Sequence, residues 1–256
     1  MELLAMKLCS YCGNRAPLTR EHIWPDCLIE KYESLLTYSK RESKLYKGDP
    51  TIKDVCEHCN NVLLSKLDSY LSTLYDEHFQ RILVPGEVAT ISYDYQLLLR
   101  ALLKISYNSA RLDASDKAIK AHKGFINFIL HGGYCPPLHL RLQIVTASRV
   151  VNLNEGTENL LKPSHLRCAE ILYDGPLSHR FLVRMIAINC YWFFLVMPYK
   201  IEPPHKWREL VEGLTSWRMN LGIKLTPIDS PMTIPANKTT YLHPALLGNL
   251  VHAFHV

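Results

Sequence analysis

Two short cysteine pairs, Cys9-Ser-Tyr-Cys12 and Cys56-Glu-His-Cys59, bracket an acid–histidine pair, Glu21-His22, and the second is followed at once by Asn60. Each C-x-x-C can present two thiolates to one tetrahedral ion at about 2.3 Å, so Cys9, Cys12, Cys56 and Cys59 together predict a structural zinc site. The rival reading is a pair of redox dithiols, but no thioredoxin-like βαβ pattern surrounds either pair. A histidine beside a carboxylate and close to a metal is suited to take a proton from water at neutral pH. A lone histidine is more often structural. Here the frame of cysteines around Glu21-His22, with Asn60 after them, points to hydrolytic chemistry.

The elements that must hold these residues follow from turn signals and periodicity. Cys12-Gly13-Asn14 reads as a tight turn, because Gly and Asn tolerate positive φ. Leu18 to Trp24 fits a short strand stopped by Pro25. Cys27 to Lys53 is polar, with a short helix near Leu28 to Leu36 and a turn at Gly48-Asp49-Pro50. Thr51 to Val55 is a second strand. Glu57 to about Leu83 reads as a helix, with Leu63, Leu67, Tyr70, Leu71 and Leu74 on one face. Pro85-Gly86 stops it and divides a module of residues 1–85 from a domain of residues 86–256.

In the second part, Val88 to Tyr93 is a candidate strand. Tyr95 to Leu112 is a helix with Leu98, Ala101, Leu102, Ile105 and Leu112 on its core side. Lys117 to His131 is another helix, ended by Gly132-Gly133. Strands are expected over Leu140 to Leu153, Leu166 to Tyr173, Phe181 to Ile188 and Tyr191 to Met197, with a turn at Asp174-Gly175-Pro176. Pro204 to Asn220 is a helix with Pro in its first turn. The remainder is Pro-rich and irregular, with a short helix near Pro244 to Ala253. The fold class is α+β: a small ββα zinc module followed by a larger α+β domain with a mainly antiparallel sheet.

Composition sets outer bounds. The 256 residues are 48% apolar, enough for a sizeable core without metal or disulfides. No secretory signal is read at the start, and Ala187 to Pro198 is about half the ~20 residues of a spanning helix. It reads as a buried strand, with Trp192, Phe193 and Phe194 in the core. A soluble, cytoplasmic protein without membrane contact is expected. Of the eight cysteines, Cys27, Cys135, Cys168 and Cys190 lie outside the pairs and read as small buried residues. Lys plus Arg against Asp plus Glu is 11 against 12 over residues 1–85 and 18 against 12 over residues 86–256. The second part is therefore the better grip for a polyanion. Arg100, Lys104, Tyr107 and Arg111 share one helical face, followed by Lys117, Lys120 and Lys123. Such a stripe is either a phosphate-tracking surface or an ordinary solvated face. His243, His252 and His255 read as surface residues.

The run Cys-x-x-Cys, Arg20-Glu21-His22-Ile23-Trp24-Pro25, Cys-x-x-Cys-Asn60 resembles the zinc-containing branch of the HNH endonucleases. The resemblance covers residues 9–75 and leaves 86–256 without a counterpart. It implies a ββα-metal fold with His22 as general base and with Glu21 and Asn60 as ligands of one catalytic divalent cation, Mg²⁺ or Mn²⁺. Cys9, Cys12, Cys56 and Cys59 would hold structural zinc. Two departures stand out: Glu21 is one methylene longer than the more usual Asp, and the family's middle Asn has no match, with Asp54 or Asn61 as substitutes. The implied activity is metal-dependent hydrolysis of phosphodiester bonds of nucleic acid, DNA ahead of RNA, leaving 5′-phosphates. The resemblance also implies anti-phage defence and a protein partner such as an ATPase. The chain has no G-x-x-x-x-G-K-[ST] loop of its own. The alternative from another class is a non-catalytic zinc module that binds nucleic acid or a protein.

Overall fold

The computed structural model describes residues 6–33, 36–39, 44–48, 50–152, 156–173, 178–200, 203–216, 221–228 and 230–236. Among these, every strand pairing is antiparallel and helices are interspersed, so the α+β class holds. No helix of the described residues is long and apolar enough to cross a membrane. The turn at Asp174-Gly175-Pro176, the helix near Pro244 to Ala253, and His243, His252 and His255 lie outside the described residues.

The chain forms two compact units of interleaved sequence: Met1–Tyr75 with Asp94–Pro137, and Asp76–Tyr93 with Leu138–Val256. The chain therefore passes from one unit to the other three times, after Tyr75, Tyr93 and Pro137. The first unit takes in the long helix that the sequence reading had assigned to the second part.

The first unit opens with a hairpin, β1 (Lys7–Leu8) against β2 (Arg15–Ala16). β3 (Leu18–His22) follows, then α1 (Asp26–Ile29). β4 (Leu36–Ser39) and β5 (Lys44–Lys47) pair antiparallel in the stretch read as polar, and Leu36, where a short helix was expected to end, opens β4. β6 (Thr51–Cys56) returns beside β3, with Leu18 opposite Cys56 and His22 opposite Thr51. The register shifts between Thr19 and Glu21, a local irregularity of the kind that re-aims side chains near sites.

The helix expected from Glu57 begins there, with Glu57 and His58 helical; it runs as a π-helical segment over Cys59–Leu64, continues as α2 (Ser65–Leu74) and a second π-helical segment, Tyr75–Phe79, and stops short of Leu83. Leu67, Leu71 and Leu74 of the expected face are buried, Leu63 and Tyr70 are half-buried, and Leu64 is buried with them. α3 (Tyr95–Leu112) is capped by Asp94, whose carboxylate accepts the Leu97 N–H at 2.9 Å. Every residue from Ala101 to Ala110 on α3 is buried, so this helix is enclosed all round. The helix expected over Lys117 to His131 is two, α4 (Asp116–Lys123) and α5 (Ile126–His131), separated at Gly124-Phe125 and ended by Gly132.

The second unit centres on a five-stranded sheet in the order β11 (Leu166–Glu170), β12 (Phe181–Ile188), β13 (Tyr191–Pro198), β8 (His139–Ile144), β14 (Ile223–Lys224). β12 and β13 are buried almost throughout, which is why they read as near-continuous apolar runs. Val183, Met185, Ala187, Trp192, Phe194 and Val196 form one core with Trp207 and Leu210 of α6 (Pro204–Ser216). Gly222 lets the chain approach β8: a Cβ there would stand 1.9 Å from the Leu142 carbonyl oxygen. A hairpin, β9 (Ser148–Asn152) with β10 (Thr157–Leu161), lies apart from the sheet, and β7 (Val88–Ile91) pairs with β15 (Met232–Pro235). β15 lies in the stretch expected to be irregular.

Candidate metal centre and active site

The sulfur atoms of Cys9, Cys12, Cys56 and Cys59 all lie within 4.8 Å of one another. Sulfurs bound at about 2.3 Å to one tetrahedral ion stand about 3.8 Å apart, and the Cys12–Cys56 separation is 3.8 Å. The backbone sets this up. The β1–β2 turn closes through Cys9 N–H donating to the Asn14 carbonyl and Gly13 N–H donating to the Cys9 carbonyl, both at 2.9 Å. Gly13 sits at φ +72°, which glycine adopts without strain. Ser10 N–H donates to the Asp54 carbonyl, fastening the turn to β6. Cys56 ends β6 and Cys59 lies in the first turn of the helix, so strand, turn and helix converge on one point.

Burial works against the Cys9 thiolate, but backbone N–H groups of Cys56, Cys12 and Tyr11 outweigh it and bring the thiol down to about 7. Burial raises Cys12 and Cys59, the latter also through neighbouring thiols. A site with one ready thiolate and reluctant partners is completed when a divalent ion displaces the remaining protons. The four cysteines can hold a zinc ion, as their spacing predicts.

Asn60 stands at the start of the helix and reaches back to β3. Its amide Nδ2 donates to Thr19 Oγ1 at 3.0 Å and to the Arg20 carbonyl at 2.9 Å. Both amide hydrogens are thereby committed, and Oδ1 is the atom left with ligand capacity. His22 ends β3 and is half-buried; Arg20 is exposed. Successive strand side chains leave on opposite faces, and Glu21 takes the inward one, 3% exposed.

Glu21 meets a cation of the protein itself. Its Oε1 accepts from Lys104 Nζ at 2.7 Å and from Asn108 Nδ2 at 3.1 Å. Lys104, 1% exposed, also binds Asp68 at 2.5 Å. Burial alone would lower Lys104, but Asp68 and Glu21 overcome it and hold the ammonium above its ordinary range. The carboxylate assigned to a divalent cation is thus already paired with an ammonium, which it shares with Asp68.

α3 supplies the rest of this buried network. Asn108 Nδ2 donates to the His22 carbonyl at 2.9 Å, while its Oδ1 accepts from Tyr11 Oη at 2.7 Å and from Arg111 Nη2 at 2.9 Å. Arg111 pairs with Asp54 at 2.9 Å and lies over the rings of Tyr107 and Tyr11 at 4.2 and 4.8 Å. Asp54 also accepts from Ser10 Oγ at 2.7 Å. Of the two substitutes for a middle Asn, Asp54 therefore serves Arg111 and the cysteine turn, and Asn61 is exposed.

These contacts correct the basic-stripe reading. Arg100 donates to the Ile129 and Leu130 carbonyls, and Lys104, Tyr107 and Arg111 face carboxylates and rings inside the unit. Neither a phosphate-tracking nor a solvated face describes them. Lys117, Lys120 and Lys123 are exposed. Sequence reasoning missed Lys104, Asn108, Arg111 and Asp68 as neighbours of Glu21-His22. The available signal was polar residues at helical spacing in an otherwise apolar helix.

An open depression of about 650 Å³ lies beside the cysteines, lined by Arg15, Thr19, Glu57, His58 and His131 among others. Glu21, His22 and Asn60 do not line it. No protein-family model matches the chain, and neither does any curated protein or solved structure.

Proposed function

We propose that the first unit is a metal-dependent nuclease of the HNH kind, hydrolysing phosphodiester bonds, with His22 as general base. The observation that carries this reading is the tie of Asn60 to the backbone of β3 directly before Glu21-His22. That bond joins the helix start to the strand end in the two-strand-and-helix arrangement the resemblance implies, with the cysteine cluster at its root. His22 takes the proton from the attacking water, a role worth about 10²–10⁴-fold. Asn60 holds its Oδ1 fixed as the oxygen ligand of a hard cation. Bound there, Mg²⁺ or Mn²⁺ would stabilise charge on the phosphoryl group. Arg20, exposed beside His22, offers a positive charge to the substrate phosphate. Glu21 fits the ligand role less well than Asn60, because Lys104 and Asn108 already occupy its Oε1.

The test uses the full chain with Mn²⁺ or Mg²⁺ on DNA and RNA substrates. His22→Ala should lower cleavage by about 10²-fold or more without loss of zinc. Asn60→Ala should raise the cation concentration needed for cleavage. Wild-type cleavage by His22→Ala overturns the assignment.

The second reading, a non-catalytic zinc module binding nucleic acid or a protein, is favoured by one observation: the Lys104 ammonium stands on the acid of the acid–histidine pair. It predicts substrate binding with no metal-dependent cleavage, and unchanged binding by His22→Ala.

A further inference from the structure

Asn108 comes from α3, outside the stretch that carries the cysteines and Glu21-His22, yet its side chain bonds both to Tyr11 of the cysteine turn and to Glu21-His22. Its two N–H groups go to the Glu21 carboxylate and the His22 carbonyl. Its oxygen receives Tyr11 Oη, from between Cys9 and Cys12, and Arg111 Nη2. An asparagine has two donors and two acceptor lone pairs, so all four are used, and the residue is 0% exposed. A buried amide adds little net stability over a well-packed apolar residue, because desolvation offsets most of what its hydrogen bonds return. What it adds is geometric definition: the bond to the carbonyl of His22 fixes the backbone that aims the imidazole, and the bond to Glu21 fixes the neighbouring carboxylate.

We infer that Asn108 is a positioning residue of the candidate site, holding the strand end that carries His22 from α3 through its two N–H groups. This rests on the reading of His22 as base. A base displaced by about 1 Å loses on the order of 10²-fold in rate, so the effect belongs in kcat and not in substrate binding.

Asn108→Asp separates the two halves of the network. It is isosteric and keeps the acceptor side toward Tyr11 and Arg111. It loses both donors toward Glu21 and His22. Tyr11→Phe does the reverse, removing only the contact from the cysteine turn. Zinc content, kcat, KM and the His22 side-chain NMR resonances at fixed pH are measured for the full-length wild type, Asn108→Asp, Asn108→Ala and Tyr11→Phe. The expected result is that both Asn108 variants retain zinc, lose about 10–100-fold in kcat with KM within about twofold, and shift the His22 resonances. Tyr11→Phe should keep kcat within about threefold and leave those resonances in place. Zinc-loaded Asn108→Asp with wild-type kcat and unmoved His22 resonances overturns the inference. So does zinc loss from both Asn108 variants, which would make the residue purely structural. If wild type does not cleave but the resonances shift as stated, the positioning role stands and the nuclease reading falls.

Discussion

Replacing Lys104 with methionine keeps much of the side chain's bulk and removes its charge. Two carboxylates lose their common partner. The bonded oxygens of Glu21 and Asp68 sit on one nitrogen at 2.7 and 2.5 Å, so they stand no more than about 5 Å apart. Two like charges at that distance repel by about 3 kcal/mol at an effective dielectric constant of 20. Removing one partner of a buried ionic set costs about 3–5 kcal/mol in general, in agreement with that figure. With a urea dependence of about 2 kcal/mol per molar, the midpoint for unfolding the first unit should fall by roughly 1.5–2.5 M. Zinc release to a chromogenic chelator during a urea titration reports on this unit specifically. The triple variant Lys104→Met, Glu21→Gln, Asp68→Asn should recover most of the loss, because neutral groups of the same shape remove the repulsion along with the charge. A midpoint shift under about 0.5 M for Lys104→Met would refute the reasoning, and so would a triple variant no better than the single one.

Two further outcomes follow from the same unit. Acid should loosen zinc: the folded state depresses Cys9 to about 7, so the preference for its thiolate is present above the ordinary thiol range and is lost as pH falls through about 7. A chelator competing at pH 6 should therefore strip zinc more readily than at pH 8, and equal retention would contradict this. A fragment of residues 1–85 lacks α3 and leaves Glu21, Asp54 and Asp68 without Lys104 and Arg111. It should fail to give a dispersed NMR spectrum with zinc, whereas residues 1–137 should give one; a well-folded 1–85 fragment would count against the role of α3.

The sequence showed some of this directly and hid the rest for identifiable reasons. Cysteine spacing reveals the metal cluster because C-x-x-C geometry is local. β12 and β13 were readable because both are continuous apolar runs between turns. α3 was readable as a helix, but the direction of its charged residues was not. Lysine and arginine are usually solvated, and the acids that draw Lys104 and Arg111 inward lie far off in sequence: Asp68 is 36 residues from Lys104. Asn108 is 87 residues from Glu21. β4, β5 and β10 escaped notice because none lies in a clear apolar alternation, and the one strand expected over Leu140 to Leu153 is two, β8 and β9. The interleaving of the two units has no local signal, because it rests on contacts between stretches far apart in sequence.

The interleaving of the two units also sets an order of assembly. A ribosome emits about 5–20 residues per second. The first unit can close once α5 has emerged, well before the chain is finished. β7 has no such early partner: its mate β15 is made about 140 residues later, a wait of roughly 7–30 s. Until then β7 offers an unpaired strand edge, the kind of surface that chaperones shield and that aggregation exploits. β15 is thus the late-made strand that completes this pair, and a nascent chain not yet extended that far should expose β7 while its cysteine turn is already formed.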